Sequence, residues 1–228
     1  GYAITTTNTP YILKTTNGGD NWSIIFTDNN IQLLNITFLN NNTGFVGRGY
    51  TPNGDAIYKT TNGGANWSPV NTPTDIIPFG MFVLNEDTIW IADNDGLVGG
   101  LYRTQNGGTS WIRQVNLGAQ NPDKIYMYNK NIGFMAHSPN SLYKTTNGGF
   151  NWVPLTGGGW SDIYFIDSLT GWKANTDMKK TTDGGLNWVT QTLPYGGIIL
   201  NTGIASFTVL NRDTILGVGG NVFYGGGE

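Results

Sequence analysis

The chain contains no cysteine among its 228 residues. Disulfide bonds, thiolate metal sites and a cysteine nucleophile are therefore excluded. Charged residues are also scarce, at 12% of the chain, and the net charge is −3. This balance provides neither the basic patch of a nucleic-acid-binding protein nor a polybasic segment for anionic membranes. We expect no nucleic-acid partner.

Long apolar runs are missing too. None approaches the roughly 18 residues of a membrane-spanning helix, and the stretch from 76 to 84 is broken by Pro78 and Gly80. We therefore expect no membrane insertion. No signal peptide is visible. Because the chain begins at Gly1 and not at Met, we expect a processed chain or a segment of a longer one.

What the chain does contain is glycine, at 34 residues, and aromatic residues, at 13% with eight tryptophans. Glycine and asparagine favour tight turns, whereas tryptophan, tyrosine and phenylalanine favour strands. No helical apolar period is sustained along the chain. The composition therefore predicts an all-β protein rich in turns.

A nine-residue segment recurs five times. Its first copy is Lys14-Thr15-Thr16-Asn17-Gly18-Gly19-Asp20-Asn21-Trp22, and the others span 59–67, 103–111, 144–152 and 180–188. The copies are therefore about 40 residues apart. A period near 40 with several short strands per repeat is typical of β-propeller blades.

Each repeat predicts four antiparallel strands, which we call A to D. In the second repeat they cover 36–39, 45–48, 56–60 and 66–70, separated by turn residues. We predict a single β-propeller domain over 1–228. Its repeats cover approximately 1–27, 34–71, 80–116, 124–156 and 161–193, with a partial one at 204–228.

The two ends of the chain are out of phase with the blades. Residues 2–5 match strand B, so the first repeat lacks strand A, whereas 206–210, 214–218 and 222–224 match strands A, B and C. We predict five blades, with strand 206–210 paired beside 2–5 so that the ring closes and no edge is exposed. The alternative is six blades with the last incomplete. Unpaired edges could also support self-association.

The pattern Thr15-x-Asn17-x-Gly19-x-x-Trp22 is similar to the Asp-box, or bacterial neuraminidase repeat, Ser/Thr-x-Asp-x-Gly-x-x-Trp. Four copies carry Asn in place of Asp, and only Asp183 keeps the acid. The whole repeat resembles the photosystem II stability and assembly factor family, and related repeats occur in secreted bacterial proteins. This resemblance covers nearly the whole chain. It implies a β-propeller with the box at the blade periphery, located outside the cell, at its surface or in the periplasm.

The box residues are predicted to build the fold and not to bind a ligand. Asn or Asp bonds the amides of its own turn, the glycines permit positive φ, and Trp covers the turn. These residues are Thr15, Asn17, Gly19, Trp22, Thr60, Asn62, Gly64, Trp67, Thr104, Asn106, Gly108, Trp111, Thr145, Asn147, Gly149, Trp152, Thr181, Asp183, Gly185 and Trp188.

A sialidase would need three clustered arginines, a tyrosine nucleophile with its glutamate and an acid/base aspartate. The chain has four arginines, of which only Arg48 ends a B strand, and two glutamates, Glu86 and Glu228. These residues cannot supply the complete catalytic set of a sialidase. Asp93 and Asp95 could serve another hydrolase or begin a calcium loop, but a solvated turn explains them better.

Aligned repeats reveal two variable positions that could line one face of the ring. The end of strand B holds Thr5, Arg48, Asp93, His137 and Asn175, and strand A holds Thr37, Phe82, Tyr126, Tyr164 and Thr208. A mixed polar and aromatic ring suits a small ligand or glycan. The predicted binding residues are Arg48, Asp93, His137, Asn175, Tyr126 and Tyr164. Alternatively, all are ordinary strand-end residues, and His137, the only histidine, is a satisfied surface group.

These observations favour a non-catalytic extracellular or envelope-exposed propeller that acts as a scaffold or binds a protein or glycan, in a surface assembly or alone. We predict no catalytic residue, cofactor or metal. Two alternatives stay open. One is a glycoside hydrolase or lyase of propeller fold, sialidase-like in chemistry, and the other is a photosystem-type assembly factor, which rests on the shared repeat alone.

Overall fold

The computed structural model describes residues 1–5, 9–27, 32–49, 55–93, 99–115, 122–136, 141–192 and 204–219. All regular secondary structure within these ranges is β-strand, so the all-β prediction is confirmed. No helix in the described ranges has the length and apolar character needed to cross a bilayer.

Twenty-one strands follow one another in the described chain. They are β1 (Tyr2–Ile4), β2 (Tyr11–Lys14), β3 (Ser23–Thr27), β4 (Leu33–Phe38), β5 (Gly44–Arg48), β6 (Ile57–Thr60), β7 (Ser68–Val70), β8 (Pro78–Val83), β9 (Ile89–Asp93), β10 (Gly100–Thr104), β11 (Ile112–Val115), β12 (Lys124–Met127), β13 (Gly133–Ala136), β14 (Leu142–Thr145), β15 (Val153–Leu155), β16 (Asp162–Phe165), β17 (Gly171–Ala174), β18 (Met178–Thr181), β19 (Val189–Thr190), β20 (Ile204–Asn211) and β21 (Thr214–Gly219).

The strands form six antiparallel sheets, which we number 1 to 6 in chain order. Sheet 1 contains β1 to β3, and sheets 2 to 5 each contain the next four strands in sequential order. Sheet 6 contains β20 and β21. The four-stranded repeat predicted from the second box is therefore confirmed, and sheet 1 lacks strand A as expected.

The hydrophobic core lies between neighbouring sheets. One cluster joins Phe45 and Ile57 of sheet 2 to Ile89 and Ile91 of sheet 3, and all four side chains are buried. The first strands of successive sheets also touch, since β4 contacts β8 and β8 contacts β12. Sheets that pack face to face, with their first strands in contact at the centre, are the blades of a propeller.

Polar side chains of three inner strands bond their own sheet to the next one. Asn35 of β4 donates to the carbonyl of Pro78 at 2.7 Å, and Lys124 of β12 donates to the carbonyl of Trp160 at 2.6 Å. Asp162 of β16 accepts bonds from β20. Asn35, Lys124 and Asp162 occupy equivalent strand-A positions, so this position determines how neighbouring inner strands dock.

The predicted pairing of 206–210 with 2–5 is not formed. β20 pairs with β21, with Phe207 opposite Gly217, whereas β1 pairs only with β2 among the described residues. β20 contacts β16 and β17 of sheet 5 instead. The reason is that Asp162 supplies acceptors for β20, so this strand continues the series of sheets and does not complete sheet 1. This arrangement is the one that the incomplete-blade alternative describes, and the number of blades stays a prediction. Residues 222–224, predicted as strand C, lie outside the described residues.

Candidate functional site

The five box turns share one hydrogen-bond pattern. In the first, the Thr15 hydroxyl donates to Asn17 Oδ1 at 2.8 Å and accepts from the backbone N–H of Gly19 at 3.0 Å. Asn17 Oδ1 also accepts from the N–H of Asn21 at 3.1 Å. The other four boxes repeat these bonds. The turn is therefore closed by side chains that bond their own backbone.

The paired glycines are required by the backbone of these turns. In the second box Gly63 and Gly64 have φ of 68° and 88°, and both glycines are left-handed in every box. A side chain at Gly64 would also collide with Ile25 of sheet 1. Glycine therefore satisfies both the turn conformation and the close packing of neighbouring sheets.

Asp183 is the only acid at the central box position. The backbone N–H of Asn187, its side-chain amide and the Thr181 hydroxyl donate to this carboxylate, and these bonds lower its pKa to about 2. Hydrogen bonds to a carboxylate favour its charged form. Asparagine makes the equivalent bonds in the other four turns without a charge.

The basic residue before three of the boxes contacts a box glycine of the next sheet, which the sequence did not predict. Lys14 Nζ lies 2.9 Å from the carbonyl oxygen of Gly63, the first glycine of the second box. Lys144 Nζ lies 2.6 Å from the equivalent oxygen of Gly184. Arg103 makes the same contact with Gly148 at 3.3 Å. We call this repeated bond the inter-sheet cation contact.

Each of these cations also lies over an aromatic ring of strand B in its own sheet. Arg103 lies 4.7 Å from the ring centroid of Trp90, and Lys144 lies 5.8 Å from that of Phe134. Trp90 Nε1 itself donates to the Gly148 carbonyl at 3.1 Å. The box is therefore part of the interface between sheets, in addition to closing its own turn.

The predicted binding residues Arg48 and Asp93 are both buried, at 5% and 1% exposure, and bond within their own sheets. Arg48 Nη1 bonds the Asp55 carboxylate at 3.0 Å, and its guanidinium lies over the Tyr58 ring. Asp93 Oδ1 accepts the N–H of Ile77 at 2.9 Å, just before β8. Both side chains stabilise strand ends, and their predicted ligand role stays a prediction.

The other predicted binding residues have separate surroundings. Tyr126 accepts the N–H of Phe165 in the next sheet at 2.9 Å, and burial raises its pKa to about 12. Tyr164 is 39% exposed on β16. Asn175 is exposed, and its carbonyl accepts the N–H of Ile204 at 2.9 Å. His137 and Asp95 lie outside the described residues, so no shared ligand site is established.

The arginines do not converge on one site. Arg113 donates to the Gly99 carbonyl and Arg212 pairs with Asp167, while Arg48 and Arg103 make the contacts given above. In the described part of the chain, no group of three or more His, Asp or Glu side chains could hold a metal ion. The described geometry therefore brings together neither a sialidase arginine cluster nor a metal centre.

One buried lysine was missed. Lys173 is 3% exposed on β17, and its ammonium donates to the carbonyls of Gly157 and Gly158. Burial, together with the charge of Lys179, lowers its pKa to about 8, while Asp177 opposes the shift. The sequence did contain a signal for this lysine, because the equivalent strand-B positions of the other repeats all hold apolar residues. These are Ala3, Val46, Ile91 and Met135.

The fold and the repeated turns define a β-propeller of the BNR type. The family model of the photosynthesis system II assembly factor YCF48 matches residues 20–158, more than half of the chain. The chain belongs to this family. A search of curated proteins finds no match.

Solved structures share the propeller. YCF48 bound to D1 peptide is 18% identical, with a TM-score of 0.63 over 95% of this chain and 76% of that one. YCF48 from Cyanidioschyzon merolae is 19% identical, with a TM-score of 0.66 over 93% and 72%. The GH74 xyloglucanase from Xanthomonas campestris is 12% identical, with a TM-score of 0.55 over 84% of this chain but 36% of the enzyme. At these identities the likeness is one of fold.

Proposed function

We propose that this chain is a non-catalytic propeller that binds a protein partner in extended form and holds it in a larger assembly outside the cytoplasm. Membership of the YCF48 family supports an assembly role. A relative of the same fold has been solved with a bound D1 peptide, which supports a peptide segment as the ligand. The related repeats of secreted bacterial proteins support the location, and cell fractionation would test it.

The observation that carries this proposal is the composition of the outer strands. Four of them expose a large apolar side chain, namely Ile24 of β3, Ile112 of β11, Val153 of β15 and Val189 of β19, with exposures between 52% and 66%. Each of these strands is the last of its sheet, so one edge is unpaired among the described residues. An extended peptide can pair with such an edge while its side chains cover the apolar groups.

A ligand peptide would first be selected from an immobilised peptide library. Its affinity in solution would then be measured by fluorescence anisotropy of a labelled copy. Val189→Asp should weaken binding of the selected peptide at least tenfold, because a charge replaces an apolar contact. Thr182→Asp is the matched control, since it adds the same charge to an exposed box position of the same sheet. Equal losses for both variants would argue against docking at β19.

Catalysis would be tested with xyloglucan and sialosides in the same preparation. We expect no turnover, because Arg48 and Asp93 are held by bonds within their own sheets. Hydrolysis that disappears in a folded Arg48→Ala or Asp93→Asn variant would replace the scaffold proposal with that of a propeller hydrolase. The GH74 likeness is the reason for including xyloglucan.

A further inference from the structure

The junction between sheets 2 and 3 lacks the inter-sheet cation contact. Lys59 is the equivalent of Lys14, Arg103 and Lys144, but its ammonium lies 2.8 Å from Glu86 Oε2 in the first turn of sheet 3. Glu86 is the only acid at this turn position, where sheets 2, 4, 5 and 6 carry Asn41, Lys130, Ser168 and Arg212. The carboxylate has therefore drawn Lys59 away from the box glycine.

The Gly107 carbonyl is left without the donors that its counterparts have. Gly63 also accepts the Tyr2 hydroxyl, and Gly148 also accepts Trp90 Nε1. The corresponding aromatic residue of sheet 2 is Phe45, which has no polar hydrogen. No hydrogen bond to the Gly107 oxygen is found within the described ranges.

A cavity of about 370 Å³ opens at this junction. We call it the junction cavity, and its polar lining includes Lys59, Asn62, Asn66, Asn71, Gly107 and Gly108. Amide side chains and backbone carbonyls supply acceptors for an incoming donor. Glu86 balances the charge of Lys59, and the hydrogen bond from Lys59 lowers the pKa of Glu86, so this carboxylate stays ionised. A second cation is therefore not opposed by a net positive site.

We propose that the junction cavity binds a lysine or arginine side chain of the protein partner, whose charged head group donates to the Gly107 carbonyl. The chain itself shows the required chemistry, because Lys14, Arg103 and Lys144 make this bond at three other junctions. The cavity lies beside β7, so a partner that runs along the outer strands passes it. The inference rests on the proposed function, since the partner carries the cation.

The probes are Nα-acetyl-lysine N-methylamide and its neutral norleucine counterpart, titrated into ¹⁵N-labelled protein. We expect the lysine probe to shift the amides of Gly107 and Gly108 and to bind at least fivefold more tightly than the norleucine probe. Equal affinities, or lysine-induced shifts confined to other sheets, would overturn the inference.

Three variants make the test specific. Glu86→Gln releases Lys59 to occupy the Gly107 oxygen and should weaken binding of the lysine probe at least fivefold. Lys59→Met removes this internal competitor and should leave binding unchanged or tighter. The double variant should recover the binding lost in Glu86→Gln, because no internal cation remains. If it does not recover, competition by Lys59 is not the cause and the proposal fails.

The same variants separate this inference from the proposed function. Peptides that bind equally well to wild type and Glu86→Gln would refute the cavity and leave the scaffold role standing. A lysine probe that binds at Gly107, together with a peptide library that yields no ligand, would support the cavity and count against the scaffold role.

Discussion

Lys144 Nζ of sheet 4 lies 2.6 Å from the carbonyl oxygen of Gly184 in sheet 5. Burial lowers the pKa of Lys144, and the charge of Asp183 opposes that shift. The bond therefore joins a partly desolvated cation to the first glycine of the neighbouring box. Because equivalent bonds join sheets 1 to 2 and 3 to 4, the box sequence contributes to the order of the sheets as well as to its own turn.

Lys144→Met should lower the free energy of unfolding by about 1.5–3 kcal/mol, the usual contribution of a hydrogen bond to a charged group. Urea unfolding followed by tryptophan fluorescence would measure it. Lys130→Met is the control, because this exposed lysine lies in the same sheet and its loss should change stability by less than about 0.5 kcal/mol. Similar losses for the two variants would show that the contact with Gly184 is not stabilising.

Trp67→Ala should cost about 3–5 kcal/mol, because removal of a large packed ring leaves a cavity. Trp67 packs against the rings of Phe26 and Phe38, with centroids 6.2 and 6.0 Å away. Trp22→Ala, at the same box position but 46% exposed, should cost less than half as much. Thermal unfolding of both variants would test whether the packed tryptophan stabilises the fold by covering the box turn. Equal losses of stability in the two variants would contradict this role.

Acid unfolding should depend on Asp183. Its folded pKa is about 2, below roughly 3.9 in an unfolded chain, so its contribution is present above about pH 4 and is lost as the pH falls through 2. Asp183→Asn should flatten the fall in stability between pH 4 and 2, while stability at pH 7 changes little. Asn147→Asp should steepen the same region. Denaturant midpoints from pH 2 to 7 would show both effects, and parallel curves for all three proteins would refute them.

The alkaline limb should depend on Lys173. Its folded pKa is about 8, below roughly 10.4 in an unfolded chain, so between these values the unfolded state binds more protons and stability rises with pH. The rise is at most about 3 kcal/mol. Below pH 8 both states are protonated and the contribution is constant.

Lys173→Met should remove this rise, and Lys179→Met, which keeps the buried amine, should retain most of it. Urea unfolding at pH 7, 8, 9 and 10 gives the free energy of unfolding of each protein. In the difference between a variant and wild type, the contributions of the other titrating groups cancel. If wild type and Lys173→Met show the same slope, the Lys173 ammonium is solvated in the folded protein.

The repeat and its turns could be predicted because their determinants are local. Thr15, Asn17 and Gly19 lie within five residues, and their bonds need no distant partner. The contact of Arg48 could also be predicted, since its carboxylate partner Asp55 follows only seven residues later in the sequence. These contacts agree with the alternative that Arg48 is an ordinary strand-end residue, and its ligand role stays a prediction.

The arrangement of β20 could not be predicted in the same way. Its apolar pattern suits strand A of any sheet, and the pattern does not specify the neighbour. Docking depends on Asp162, a residue 44 positions away from Ser206. The inter-sheet cation contact was not predicted either, although its sequence signal is constant. Lys or Arg precedes every box, and this residue was therefore interpreted as part of the turn and not as a contact with the next sheet.

Sheet 6 is held to sheet 5 by a small number of bonds. Asp162 Oδ2 accepts the Ser206 hydroxyl at 2.7 Å and the Phe207 N–H at 2.9 Å. Arg212 of the β20–β21 turn pairs with Asp167 at 2.6 Å on the surface. Bonds to a partly buried carboxylate contribute more than an exposed ion pair.

Asp162→Ala should therefore release sheet 6 while sheets 2 to 5 stay folded. We expect amide hydrogen exchange across 204–219 to accelerate at least tenfold, since tenfold corresponds to about 1.4 kcal/mol and two bonds to a charged group are lost. Arg212→Ala, the control, should accelerate exchange by less than fivefold. If Asp162→Ala leaves 204–219 as protected as in wild type, the bonds to Asp162 do not hold sheet 6 against sheet 5.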